Sequence, residues 1–282
     1  MSTTHPVRPA PSRPKKRGKK HGQTGWVPNQ HGAWAMLIAP FWLGAILRGQ
    51  EVGWEWWAIP LFVAWLVGYL AFAAGSLWLK ARRKPKFRKP MLVYAGIAGL
   101  AGLLALALAG PSLALWGLAY VPLTGATLWL VAHRQERSTL SGALTILAAA
   151  LMAVTVRYPN PLEALEALGQ GPAPGWWLGA ICFFYFFGTV PYVKTLIRER
   201  GHLAWVVGSV AFHVLATGLA ALTAAFGHIA WTWTGFFALT TVRALLVPVL
   251  GPLSGRTVTP KAAGFGEIAF TLLLTALVLI GL

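Results

Sequence analysis

Residues 56–89 read WWAIPLFVAWLVGYLAFAAGSLWLKARRKPKFRK, and this stretch decides the fold class. From Trp56 to Leu79 there is no charged side chain. At 1.5 Å of rise per residue, such a run crosses the roughly 30 Å hydrocarbon core of a bilayer as one helix. Charge then arrives at once, as Lys80, Arg82, Arg83, Lys84, Lys86, Arg88 and Lys89. A soluble amphipathic helix spreads its charges along one face, whereas here they are gathered beyond one end. That is the pattern of a membrane span delivering a basic loop to the cytoplasmic surface, where anionic headgroups attract lysine and arginine.

The remainder of the chain extends the pattern. Of 282 residues, 56% are hydrophobic and only 11% charged, too few charges to solvate a soluble protein of this length. The net charge of +17 would suit nucleic acid if it lay on one folded face. It lies instead in an N-terminal tail and in loops between apolar runs, so the partner it implies is the anionic surface of the bilayer. Cys182 is the single cysteine, which excludes an intrachain disulfide and any cysteine-based zinc site. All seven acidic residues are glutamates: Glu51, Glu55, Glu136, Glu163, Glu166, Glu199 and Glu267.

Runs of suitable length predict nine spans, at 32–47, 56–79, 91–109, 112–132, 139–156, 176–196, 203–225, 229–250 and 264–282. The expected fold is an all-α polytopic membrane bundle in one domain, 26–282, preceded by a disordered basic tail, 1–25. The tail is no secretory leader, because no small-residue cleavage site follows it. Charge tests the count independently. With the N-terminus in the cytoplasm, every lysine and arginine falls at the cytoplasmic ends except Arg48, Arg157 and Arg243. A wrong number of crossings would scramble that segregation.

Tryptophans such as Trp54, Trp56, Trp57, Trp176 and Trp177 fall at the outer ends, where amphipathic rings settle. The outer loop 157–175 reads either as a connector or as a capped surface helix, with Asn160-Pro161 ahead of Leu162, Leu165 and Leu168. In the third span, Ala95, Gly99 and Leu103, with Gly96 and Gly102 close by, offer a nearly smooth face suited to packing against a sister helix.

Unpaired polar groups inside a bilayer are expensive, so each one is a candidate site. They gather toward the cytoplasmic side: Asn29, Gln30 and His31 ahead of the first span, Lys80 after the second, His133 after the fourth, Lys194 and Arg198 at the end of the sixth, Arg243 in the eighth and Glu267 in the ninth. Lys80, Arg82, Arg83 and Arg200 also suit ordinary snorkelling ends. Arg243, about 10 Å inside its run, suits that less well, and Glu267 is expected to face it. His213 stands in the middle of the seventh span without a partner at metal-ligand spacing, so packing explains it better than ligation. No metal and no cofactor are expected.

The run Trp26-Val27-Pro28-Asn29-Gln30-His31-Gly32-Ala33-Trp34-Ala35-Met36-Leu37-Ile38-Ala39-Pro40 resembles the signature of the YwiC-like family of bacterial membrane proteins, and the resemblance extends over 26–282. More distantly, the chain is similar to UbiA-type prenyltransferases, in Pro40 and Gly44 of the first span and in Arg88-Lys89-Pro90 after the second. That similarity implies nine helices around a cytoplasm-facing site. The superfamily binds a prenyl diphosphate through Mg²⁺ held by two Asp-rich motifs. Here Ala73, Ser76 and Lys80, and then Tyr192, Lys194 and Arg198, stand where those carboxylates would be. A hard divalent cation is left without oxyanion ligands.

The sequence thus predicts a cationic, metal-free pocket for an anionic lipid or prenyl phosphate, held directly by guanidinium and ammonium groups. A small-solute or ion transporter, or a non-catalytic assembly factor, is the alternative. No inverted repeat supports the transporter.

Overall fold

The computed structural model describes residues 25–26, 33–136, 138–171, 173–253 and 258–281. Ten α-helices follow in chain order: α1 (Ala33–Val52), α2 (Ala58–Lys80), α3 (Pro85–Ala109), α4 (Gly117–Ala132), α5 (Thr139–Arg157), α6 (Pro161–Gly169), α7 (Pro174–Leu196), α8 (Leu203–Ala225), α9 (Trp231–Leu253) and α10 (Pro260–Ile280). The described residues contain no strand. Among them, eight helices are long and apolar enough to cross a membrane: α2, α3, α4 with the 3-10 turn Pro111–Trp116 that leads into it, α5, α7, α8, α9 and α10. The protein is a multi-pass helical membrane bundle.

Helix ends follow local chemistry. Ser138 accepts from the Ser141 amide at 3.1 Å, Asn160 from the Leu162 amide at 3.1 Å, and Thr259 from the Ala262 amide at 3.2 Å. Proline stands at the start of α3, α6, α7 and α10, where its missing N–H removes no helical bond. Gly110, at φ +99°, separates α3 from the 3-10 turn.

The remaining expected span, the first at 32–47, is α1, and it departs from the expectation in extent and character. It continues past residue 47 to Val52 through Arg48, Gln50 and Glu51. Gln50 and Glu51 are exposed at the end of the helix and Arg48 is half-buried beside Glu55, while the body of α1 packs against α2, α5, α7 and α10. Gly44 lets it approach α5 backbone to backbone, since a Cβ there would lie 2.4 Å from the Ala153 carbonyl oxygen. Gly179 of α7 meets Val154 and Ala150 of α5 in the same manner. With lipid on the outside as apolar as the interior, close packing of small residues is what holds such helices together. On one flank of this α1–α5–α7 centre lies the α2–α3 hairpin with α4, and on the other the α8–α9 hairpin. The last helix, α10, touches α1, α7 and α9.

The smooth face of α3 is not used as expected. Ala95, Gly96, Gly99 and Leu103 are exposed, with open space where a Cβ would stand at Gly96 and Gly99, and of the small residues singled out Gly102 approaches α2, at Ala64. The 157–175 loop does contain a helix. Around α6, Ala164 is buried while Leu162, Leu165 and Leu168 are exposed, with Glu163 and Glu166 on a third sector. At 100° per residue these sectors face protein, hydrocarbon and water, as suits a helix lying in an interface.

Loops gather at two ends. At the basic end Lys80 reaches Glu136 at 3.4 Å, and Arg200 donates to the Val258 carbonyl at 2.9 Å. At the opposite end Arg48 pairs with Glu55 and donates to the Arg157 carbonyl at 3.1 Å, and Arg157 pairs with Glu51.

Candidate functional site

Arg243 and Glu267 meet between α9 and α10, with Nη1 donating to Oε1 at 2.8 Å. Because α9 runs on to Leu253, Arg243 lies ten positions from its end, or about 15 Å at helical rise. That is deeper than the sequence alone implied. Glu267 lies seven positions after Pro260, or about 10 Å. The guanidinium is clasped by rings on both elements beside it: its carbon is 4.2 Å from the ring centroid of Tyr192 on α7 and 4.1 Å from that of Phe270 on α10. Aromatic faces present negative charge to a cation, and out of water such contacts are worth about 2 kcal/mol.

The acid is held from the other side. The Tyr185 hydroxyl donates to Glu267 Oε2 at 3.1 Å and lies 3.4 Å from the Thr271 hydroxyl. Thr271 in turn donates to the Glu267 carbonyl at 2.8 Å. Both charges are therefore fixed from α7, α9 and α10 at once. One feature is left over. Arg243 is 9% exposed, yet its Nε and Nη2 are buried with no acceptor among the described residues. Buried donors are rarely left unpaired, because each one costs the free energy of a lost hydrogen bond. The Nε–Nη2 edge of a guanidinium has the planar fork geometry that matches a pair of oxyanion oxygens.

Beside this cluster runs an apolar groove of about 280 Å³ between α1 and α10. Trp34, Ile38, Trp42 and Ile46 recur every fourth residue along its α1 wall, and Thr271 and Thr275 stand on its α10 wall. Both threonine hydroxyls are already bonded to carbonyls one turn back, at 2.8 and 2.9 Å. The groove accordingly offers hydrocarbon contact, and at Thr271 it touches the Tyr185–Glu267 contact.

The other expected site residues do not join Arg243. Lys80 is engaged by Glu136. His133 caps α4, with Nδ1 2.8 Å from the Trp129 carbonyl and its ring 4.2 Å from that of Trp129. Lys194 lies over the Trp205 ring at 4.7 Å, and Arg198 is exposed. Asn29, Gln30 and His31 lie outside the described residues. His213 is buried in α8, its Nδ1 2.7 Å from the Ser209 carbonyl and its ring against Gly188 of α7, as expected of a packing histidine. Among the described residues, no three His, Cys, Asp or Glu side chains gather where a metal ion could be held.

Tyr185 and Phe270 were missed in the sequence, and Tyr192 was noted there only where the resemblance to UbiA-type enzymes would place a carboxylate, not as a neighbour of Arg243. The paired charges at the opposite end were missed too. There the hydrogen bond from Arg48 holds the Glu55 carboxyl below the usual carboxylate range, against the opposing effect of its partial burial.

The bundle and its buried ion pair define a polytopic helical membrane protein with a charged interior site. Comparison with known proteins gives the family. The YwiC-like protein family matches residues 27–157. The YwiC protein of Bacillus subtilis (strain 168) is 32% identical over 212 residues, which cover 74% of this chain and 81% of that protein. A protein of Haemophilus influenzae is 24% identical over 189 residues, 67% of this chain and 74% of its own length. Both carry the description "uncharacterized". No solved structure matches the chain. The chain belongs to the YwiC-like family.

Proposed function

We propose that this is a protein of the bacterial cytoplasmic membrane, with its N-terminus and basic end in the cytoplasm, that binds an anionic lipid-like phosphate on Arg243 without a metal ion. The observation that carries the reading is the pair of buried Arg243 donors, Nε and Nη2, that no group of the described protein uses. A phosphate oxygen pair matches that guanidinium edge, and the apolar groove at Thr271 supplies contact for a hydrocarbon chain. The basic loops add attraction for anionic lipids of about 1 kcal/mol per charge near the surface.

The experiment is binding of decyl phosphate to the protein in phosphatidylcholine nanodiscs, with empty discs subtracted. Binding should be equal in Mg²⁺ and in EDTA. It should disappear in Arg243→Leu/Glu267→Leu, a variant that leaves no buried charge unpaired. Loss of binding on chelation would return the protein to metal-dependent chemistry. Binding that survives in the double variant would remove Arg243 from the site.

A further inference from the structure

The Arg243 site is electrically balanced before any ligand arrives, with one guanidinium against one carboxylate 2.8 Å away. An anion on the spare Nε and Nη2 adds a negative charge about 10–15 Å from the helix ends, in surroundings where uncompensated charge is not tolerated. The compensation must come from what faces Glu267. From α9 that is Arg243, already counted. From α7 it is Tyr185, bonded to Oε2, with Tyr192 on the far side of the guanidinium. From α10 itself it is Thr271. The α1 wall contributes Trp34, Ile38 and Trp42, none of which carries charge. Among the described residues, the elements packed on α10 thus bring no second cation to Glu267, and the titratable His213 of α8 lies on the Arg243 side, its Nδ1 already at 2.7 Å from the Ser209 carbonyl.

Resting on the reading that Arg243 is the anion site, we infer that the anion binds together with one proton, which neutralises Glu267. The balance is simple. The anion takes the Nε–Nη2 edge and draws Nη1 away from Oε1. A proton from bulk water then adds to the released Oε1, while the Tyr185 hydroxyl continues to donate to Oε2. Before and after, the site carries no net charge. A headgroup with a single negative charge is matched by one proton, so the site favours monoanionic heads. Glu267 is then the group that ties occupancy to pH, and a member of the family with this pair would take up its ligand more firmly from an acidic side.

The test uses octyl sulfate, which carries one negative charge at all working pH values and takes up no proton itself. Binding to the full chain in phosphatidylcholine nanodiscs is measured calorimetrically in two buffers of different ionisation enthalpy, and again from pH 6 to 8. The expected result is uptake of about one proton per ligand and an affinity that falls about tenfold per pH unit. Glu267→Gln keeps an acceptor for Arg243 but cannot take a proton. It should bind with no proton uptake and a flat pH profile. Wild-type binding without proton uptake overturns the inference, whether or not the variant folds. So does a variant that keeps the wild-type slope. If octyl sulfate fails to bind, or binds equally to Arg243→Leu/Glu267→Leu, the reading of Arg243 as the anion site fails first.

Discussion

Arg243 and Glu267, 24 residues apart in the chain, are joined at 2.8 Å across α9 and α10, and each is also held by an aromatic residue of α7. The pair closes the last helix onto the bundle, where the remaining contacts of α10 with α7 and α9 are slight. Removing Glu267 alone leaves a buried cation, and breaking such a pair from one side costs about 3–5 kcal/mol. Glu267→Leu and Arg243→Leu should each lower thermal stability sharply, and the double variant should recover much of the loss. A double-mutant cycle read by thermal unfolding in detergent checks it. Additive single effects would mean that the two side chains do not interact.

The approach of α1 to α5 gives a second expected outcome. At Gly44 even a methyl group meets the Ala153 carbonyl at 2.4 Å, and the atom struck is backbone. Gly44→Ala should therefore destabilise by about 1–3 kcal/mol, the usual range for overpacking. Gly99→Ala on α3, which meets open space, should be close to neutral. A comparison of the two unfolding temperatures is sufficient.

The helices were legible because hydrocarbon imposes length and apolarity on every span that faces it. Thus α2 runs from Ala58 to Lys80, against an expected 56–79, and α5 from Thr139 to Arg157, against 139–156. The first helix was read short because its last turn carries charge: Arg48 is held by Glu55 and the Arg157 carbonyl, and the exposed Glu51 by Arg157, partners that only the fold supplies. The charged pair at the centre was legible because an arginine and a glutamate inside apolar runs have few options but each other. Tyr185 and Tyr192 were not, since an aromatic residue in an apolar run looks the same whether it faces lipid, core or a guanidinium. What distinguishes them is the register of α7 against α9 and α10. Likewise nothing in the sequence showed that Glu136 would engage Lys80 or that Trp205 would cover Lys194. The Gly96–Gly99 face failed in the same way: small residues do not say which direction they point.

Orientation can be read from opposite ends of the bundle. With the basic end in the cytoplasm, Lys86 in the first turn of α3 and Glu166 on α6 lie on different sides of the membrane. In a Cys182→Ala background, Lys86→Cys should resist an impermeant thiol reagent in whole cells, and Glu166→Cys, exposed on α6, should react. Reaction of both from one side would refute the alternating topology, and reversed accessibility would invert it.

The cluster at the opposite end should make stability depend on acid in a defined direction. Glu55 has a carboxyl pKa below its ordinary 4.5, because the Arg48 side chain bonds the ionised form. A folded-state value below the unfolded one means that stability from this contact is fully present above about pH 4.5 and is lost as the pH falls through the lower folded value. The Glu55 side chain is 34% exposed, so solvent screening keeps the contribution small, within about 1 kcal/mol. Arg48 does more than pair with Glu55, since it also donates to the Arg157 carbonyl and lies over the Trp57 ring at 5.8 Å. Arg48→Ala should accordingly cost stability at neutral pH and flatten the acid limb of the profile. Glu55→Gln should flatten the acid limb with a smaller loss at neutral pH. Unfolding temperatures between pH 3 and pH 7 for the three proteins decide the matter, and an unchanged acid limb in both variants would show that Glu55 does not supply the linkage.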